Sequence, residues 1–237
     1  MTNRFDDLHI NVTDNYYIPF EDSAVLNVLL ANNIGSDDIG VTEAEAANAT
    51  FTMGFFENNT DITSFNTFNL FTKANTNPPI ALFKGCSNLA SVNLSNITTI
   101  SDREFDGCNK LNVSLNLSGL TSLGYGAFHN SGITSITNLG NITIIPGECF
   151  RGCTSLTSVT LPSTVTSIYK QGFADCHMTT MDLSHVTSIG QEAFINSYLT
   201  TADLSNVTYI GPNAFSGSRL TGTLNLPNLT NLEPAAF

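Results

Sequence analysis

The sequence predicts an α/β repeat solenoid, a stack of coils of about 22 residues with short parallel strands and a small helical segment before them. Three observations predict it: a recurring phenylalanine, a period-2 apolar pair after each one, and helix-capping signals upstream. The phenylalanines recur every 21 to 23 residues, at Phe83, Phe105, Phe128, Phe150, Phe173, Phe194, Phe215 and Phe237. Because a single coil cannot bury its own apolar edge, the coils are expected to stack.

Each coil repeats the same apolar columns. The pairs expected to form one short strand per coil are Val92/Leu94, Leu115/Leu117, Ile136/Leu139, Val159/Leu161, Met181/Leu183, Ala202/Leu204 and Leu224/Leu226. Alternation of apolar and polar residues is typical of a strand with one buried face. Two further columns, from Ile97 to Leu229 and from Ile100 to Leu232, are expected to return the chain across the far side.

The stretch "LTSVTLPSTVTSIYKQGFADC", residues 156–176, resembles the consensus coil of the BspA-like leucine-rich repeats, a class of bacterial and protist surface proteins. Residues 82–237 follow that pattern throughout, and residues 58–83 resemble the family's degenerate first coil. The resemblance implies a leucine-rich repeat solenoid over residues 62–237, with no obvious C-terminal cap. Residues 1–61 then form an acidic, partly helical N-terminal region for capping or attachment.

Within that region, the residues themselves predict two short helices. Ser23 can cap a helix over residues 24–32 that Gly35 ends, and Thr42 can cap a second helix through Ala47. These helices are expected to cover the N-terminal edge of the solenoid.

The stretch "LLANNIGSDDIGVTEAEAANATF" also resembles the helix-loop-helix with an EF-hand-like loop that often precedes such arrays. Asp38 and Glu45 would fill two calcium-ligand positions. However, Ile34 and Ile39 replace the first acid and the glycine that the loop needs. The sequence therefore predicts a degenerate loop, no metal and no cofactor.

Charge and hydropathy restrict the partners. The net charge is −12, and residues 1–61 hold eleven acids against the single base Arg4. A chain this acidic has too few lysines and arginines to neutralise the phosphates of a nucleic acid. Nucleic acid is therefore not expected as a partner. Neither a signal peptide nor an apolar run long enough to insert in a membrane is recognisable, so the sequence leaves localisation open between a cell surface and a virion.

Cysteine and serine share one column, Cys86, Cys108, Ser131, Cys153, Cys176, Ser197 and Ser218, which predicts a tight buried slot. Disulfides Cys86–Cys108 and Cys153–Cys176 are geometrically conceivable, because neighbouring coils lie about 4.8 Å apart. The adjacent Cys176 and His177 are interpreted as one buried and one exposed residue rather than a nucleophile and its base. No catalytic residue is predicted.

Two surfaces are candidates for binding protein or glycan. The polar residues that alternate with the strand pairs form a hydroxyl and amide ladder, which includes Asp182 and Asp203. A more varied column precedes the strands, with Lys110 in an early coil and His177, Tyr198 and Arg219 on consecutive coils. Tyrosine and arginine are enriched among binding hot spots.

The last coil suggests a third contact. Phe237 falls on the buried phenylalanine column, so Leu226, Leu229, Leu232 and Phe237 are candidates for an assembly edge with another copy or another subunit. The first functional hypothesis is a non-enzymatic recognition or adhesion protein at a cell surface, as the resemblance implies. The alternative is a structural component of a larger particle, such as a bacteriophage virion or tail.

Overall fold

The computed structural model describes residues 17–35 and 39–237. The helices are α1 (Ser23–Ala31), α2 (Glu43–Asn48) and α3 (Thr72–Thr76), with a 3₁₀ turn at Phe68–Leu70. The strands are β1 (Ser64–Phe65), β2 (Ser91–Val92), β3 (Thr99–Ile100), β4 (Ser114–Asn116), β5 (Ser122–Leu123), β6 (Ser135–Asn138), β7 (Ile144–Ile145), β8 (Ser158–Val159), β9 (Ser167–Ile168), β10 (Ser188–Ile189), β11 (Tyr209–Ile210) and β12 (Asn231–Leu232). Every pairing between these strands is parallel, which confirms a solenoid of stacked coils.

The two helices expected upstream are present. Thr42 caps α2 as predicted, in a capping box in which Glu45 Oε2 accepts the backbone N–H of Thr42 at 2.8 Å. The cap of α1 differs from the prediction, because Asp22 supplies it and Ser23 is the first helical residue. The Asp22 carboxylate reaches the N–H of Ala24, at 2.8 Å, and a carboxylate is favoured at this end of a helix.

Asp22 also joins α1 to the solenoid. Its second oxygen accepts hydrogen bonds from the N–H of Thr63 at 2.6 Å, the hydroxyl of Thr63 at 2.8 Å and the N–H of Ser64 at 3.0 Å. Burial opposes ionisation of Asp22, but these bonds outweigh it and lower the pKa of the carboxyl. One side chain therefore fixes the start of the helix against the start of the first strand.

The phenylalanine column forms a continuous stack through the core. Neighbouring ring centroids lie 5.2–5.7 Å apart, with interplanar angles of 4–12°. The stack begins at Phe56, which lies 5.3 Å from Phe83, so it extends upstream of Ile62. Phe51, on the N-terminal side of Phe56, packs against it at 5.5 Å. The residues just before the array thus share the aromatic core of its coils.

The strands form two separate lines rather than one. In the first line, β1–β2 and β4–β6–β8, the strands from β2 onwards lie on the first four predicted pairs. The prediction is wrong for the last three pairs, which form no strand: Met181/Leu183, Ala202/Leu204 and Leu224/Leu226. The second line, β3–β5 and β7–β9–β10–β11–β12, lies on the column from Ile100 to Leu232, where only a return path is predicted. In the later coils the first side keeps isolated contacts, such as the 2.9 Å bond from Thr200 N–H to Thr179 O, too sparse for a ladder.

A third set of hydrogen bonds runs along the phenylalanine turns. Phe105 N–H, for example, donates to Ala127 O in the next coil at 2.8 Å. Each turn contains a left-handed residue on either side of its phenylalanine, such as Arg103 at φ 54° and Gly107 at φ 75°. Glycine, asparagine and aspartate favour this conformation at the second position, whereas nothing in the side chain of Arg103 indicates it.

Candidate recognition surface

His177, Tyr198 and Arg219 lie in one column along the side of the solenoid. The rings of His177 and Tyr198 are stacked, with centroids 4.2 Å apart and an angle of 17°. The guanidinium carbon of Arg219 lies 3.5 Å from the centroid of the Tyr198 ring, which is the geometry of a cation–π contact. The structure therefore brings together the three side chains that the sequence places on consecutive coils.

Equivalent turns hold these three side chains in register. Each follows a residue of the cysteine and serine column, and the N–H of Tyr198 donates to the Cys176 carbonyl at 3.2 Å. Cys176 is fully buried, and its thiol donates to the Phe150 carbonyl of the preceding coil at 2.9 Å. The buried column fixes the backbone, and in these three coils the residue that follows it is at least partly exposed.

Lys110 occupies the same column nearer to the N-terminus but is not part of this stack. Its ammonium donates to the Asn88 side chain at 2.7 Å and forms no salt bridge with any described residue. Between Lys110 and His177 the column contains Gly132 and Ser155, whose small side chains leave the surface recessed.

That recess is an open cavity of about 340 Å³. Its lining is entirely small and polar: Asn109, Asn130, Ser131, Gly132, Gly152, Thr154 and Ser155. Gly132 alone separates Ser131 from the next buried apolar residue, whereas the coils on either side have two residues at this turn. A Cβ on Gly132 would approach the Asn109 carbonyl oxygen to 2.3 Å, so only glycine fits. The differing turn lengths are the signal in the sequence that could have revealed this cavity.

Asp182 and Asp203 are exposed but engaged locally. Asp182 accepts the N–H of Ser184 at 2.9 Å, and Asp203 accepts that of Ser205 at 3.0 Å. Hydrogen bonds from Ser184 and Ser205 lower the pKa of the respective carboxyls. Both aspartates therefore stabilise the turn after the predicted strand position, and their role in binding stays a prediction.

The last coil places its apolar side chains at different depths. Leu226 and Leu229 are half-buried, whereas Leu232 is 51% exposed and Phe237 is 48% exposed. Phe237 nevertheless stacks on Phe215 at 5.3 Å, as a regular member of the phenylalanine column. An assembly contact at these residues stays a prediction.

A comparison with known protein families matches most of the chain. The sequence model described as "BspA type Leucine rich repeat region" matches residues 45–133 and 121–237, in six copies. The chain belongs to the BspA-type leucine-rich repeat family. No curated protein matches it. A leucine-rich repeat protein from Bacteroides ovatus, known from a crystal structure, is similar at 14% identity over 79% of this chain and 67% of that chain, with a TM-score of 0.36.

In this BspA-type array all five cysteines, the four of the column and Cys149, are free thiols. Cys86, Cys108, Cys149, Cys153 and Cys176 are all buried and unpaired, so neither conceivable disulfide is formed. Thiols of the column donate to phenylalanine carbonyls of the preceding coil, as Cys86 does to Phe56 at 2.9 Å. Burial raises the pKa of Cys86 and Cys153 to about 12, which removes the thiolate that a nucleophile requires.

The calcium ligands considered in the sequence do not come together as a described site. Glu45 is engaged in the cap of α2, and Asp38 lies outside the described residues. Within residues 17–35 and 39–237, no group of three or more histidine, cysteine or acidic side chains is placed to hold a metal ion. None of the helices in that part of the chain is long and apolar enough to cross a membrane.

One buried acid was missed by the sequence analysis. Glu104 is fully buried in a column that otherwise contains small or apolar residues, such as Ala127 and Cys149. Its Oε2 accepts the N–H of Ser101 at 2.7 Å, whereas Oε1 has no hydrogen-bond partner among the described residues. Burial raises the pKa of Glu104 to about 8, so the carboxyl is largely protonated at neutral pH. Comparison of the residues that precede each phenylalanine would have revealed it.

Proposed function

We propose that this protein is a non-enzymatic recognition module that binds its partner along the flank, defined here as Lys110, Gly132, Ser155, His177, Tyr198 and Arg219. The observation that carries the proposal is the preformed stack of His177, Tyr198 and Arg219. A stacked tyrosine and arginine lose little conformational entropy on binding, and both are common hot-spot residues.

The hydroxyl and amide ladder is a weaker candidate because its groups already bond to one another. The Ser135 hydroxyl donates to that of Ser114 at 2.7 Å, and the Thr137 hydroxyl donates to the Leu115 carbonyl at 3.0 Å. A ligand would have to replace these bonds, with little net gain. By contrast, the two cations of the flank, Lys110 and Arg219, form no salt bridge with any described residue.

Recognition fits the family better than catalysis does. BspA-type repeats are typically binding or surface modules, and the thiols of this chain are buried. Adhesion at a cell surface is the specific form of recognition that we propose.

The test compares retention of fluorescently labelled protein on intact bacterial and epithelial cells. The binding variant is Tyr198→Ala/Arg219→Ala. The matched control is Tyr169→Ala/Lys170→Ala, which also removes an exposed tyrosine and a base, but from a different turn. We expect the binding variant to lose retention and the control to keep it. Equal retention of both variants and the wild type would contradict a role for the flank.

A second candidate function is a structural component of a larger particle. The observation that favours it is the exposure of Leu232 and Phe237 on one coil. Light scattering at several concentrations tests it, with Leu232→Ser/Phe237→Ser as the variant. Association of the wild type that the variant lacks would support an assembly edge, and a wild-type monomer at every concentration would contradict self-association there.

A further inference from the structure

Building on the recognition function proposed above, we infer that the flank binds a saccharide that carries carboxylate groups. One sugar ring lies in the cavity over Gly132, and the chain of sugars follows the flank between Lys110 and Arg219. Coils lie about 4.8 Å apart, so this path is on the order of 20 Å long, enough for a short oligosaccharide.

The cavity has the size and chemistry for a sugar ring. Its volume of about 340 Å³ lies at the lower end of the range for small-ligand sites. Thr154 and Ser155 line it and are exposed, and their hydroxyls form no hydrogen bond with any described residue, so they are available to a ligand. A sugar hydroxyl can donate or accept a hydrogen bond, and the hydroxyls of serine and threonine can pair with it in either direction.

The stack begins at His177, one coil beyond the last residues that line the cavity, and provides an aromatic ring face there. One face of the His177 ring contacts Tyr198, and equivalent residues follow one another along the solenoid. The other face is therefore directed towards the coil that carries Thr154 and Ser155. The C–H face of a pyranose ring packs on such an aromatic ring while its hydroxyls stay with the polar lining.

Charge indicates an acidic saccharide rather than a neutral one. Of the other described lysines and arginines, Lys84, Arg103 and Arg151 have a carboxylate within 4 Å, whereas Lys73 and Lys170 have none. Lys110 and Arg219 have none among the described residues, although the net charge of the protein is −12. Arginine binds carboxylates in a bidentate manner, so two unpaired cations on one line favour a ligand with carboxylates.

A protein partner fits the flank less well. The core of a protein interface is apolar and excludes water. The large hydrophobic side chains exposed in the described residues are elsewhere: Tyr17, Ile39, Met53, Ile80, Tyr125, Tyr169, Leu232 and Phe237. A polar recess beside a short aromatic stack matches a sugar chain better.

Calorimetric titration with defined sugars tests the inference. The probes are tetragalacturonate and its methyl ester, and sialyllactose and lactose, so that each acid has a neutral counterpart. We expect at least one acid to bind about tenfold more tightly than its counterpart, as one charge-assisted hydrogen bond predicts. Lys110→Ala and Arg219→Ala should each reduce this preference, and Ser155→Phe should abolish binding by filling the cavity. The Tyr169→Ala/Lys170→Ala control should bind like the wild type.

Equal affinity for acidic and neutral sugars, or no binding to any of them, would overturn the inference. The cell assay separates this failure from failure of the proposed function. Periodate treatment of the cells destroys sugar diols, whereas protease treatment removes proteins. Flank-dependent retention that is lost with protease but survives periodate would overturn the saccharide and leave recognition by the flank intact.

Discussion

The guanidinium of Arg219 covers one face of the Tyr198 ring, and His177 covers the other. These contacts form because the three side chains occupy the equivalent position of the turn in consecutive coils, so each lies directly against the next. All contacts of this arrangement are made within the chain, so a ligand meets an ordered surface. Three residues on separate coils thereby act as one unit.

The contact between Tyr198 and Arg219 should be measurable as a coupling energy. We expect a double-mutant cycle of Tyr198→Leu and Arg219→Met to give about 0.5–1 kcal/mol, the usual strength of an exposed cation–π pair. Urea unfolding of the four proteins measures it. Strictly additive effects of the two substitutions would show that the contact does not contribute to stability.

Glu104 should make stability decrease towards alkaline pH. Its folded pKa of about 8 exceeds the unfolded value of 4.5, so its favourable contribution is full below pH 4.5 and is lost as pH rises through 8. Between these two pH values, the folding equilibrium constant decreases by up to about tenfold for each unit of rise in pH.

Unfolding in urea between pH 5 and pH 9 tests this effect. Glu104→Gln stays neutral throughout and should flatten the profile, and Glu104→Ala should do the same because alanine occupies the equivalent place before Phe128. A profile of the wild type that matches both variants would show that Glu104 is not the responsible group.

Protonation of Asp22 should lower the stability of the folded protein at acidic pH. The folded pKa of its carboxyl is lowered, so the stability it provides is present above pH 3.8 and is lost as pH falls below that value. Asp22→Ala removes the helix cap and the bonds to Thr63 and Ser64, and should cost about 2 kcal/mol or more at neutral pH. Ser23→Ala is the control, because Ser23 does not provide the cap; an equal loss from both would contradict this assignment.

The phenylalanine stack should dominate stability. Phe150 is fully buried between Phe128 and Phe173, and Phe150→Ala should cost about 3–5 kcal/mol through lost burial and the cavity that remains. Phe237→Ala, at a ring that is 48% exposed, should cost clearly less. Chemical denaturation compares the two, and similar losses would show that the stack is not the main source of stability.

The five thiols should be unreactive in the native protein. All five cysteines are buried and free, and burial raises their thiol pKa values. A colorimetric thiol reagent should label none of them within minutes under native conditions and all five in denaturant without reductant. Fewer than five in denaturant would reveal a disulfide, and rapid native labelling would contradict the burial.

The repeat and most of its core follow from sequence because each buried position recurs with one period. Ile97 and Phe150 are identifiable as core residues from their columns alone, and Thr42 was recognisable as a cap. Asp22 was harder to recognise, because its preference over Ser23 depends on bonds to Thr63, some forty residues away. Glu104 was missed because a single acid in a column of small residues does not disturb the apolar pattern.

The sequence by itself determined the repeat, its register and the consecutive placement of His177, Tyr198 and Arg219, because the period repeats along the chain. Only the tertiary structure decided that the longer line of strands runs through Ile145 and Ile168, and that Gly132 lines a cavity. The physical reason is that hydrogen-bonded ladders and cavities depend on distances between coils, and those distances exist only once the coils are stacked.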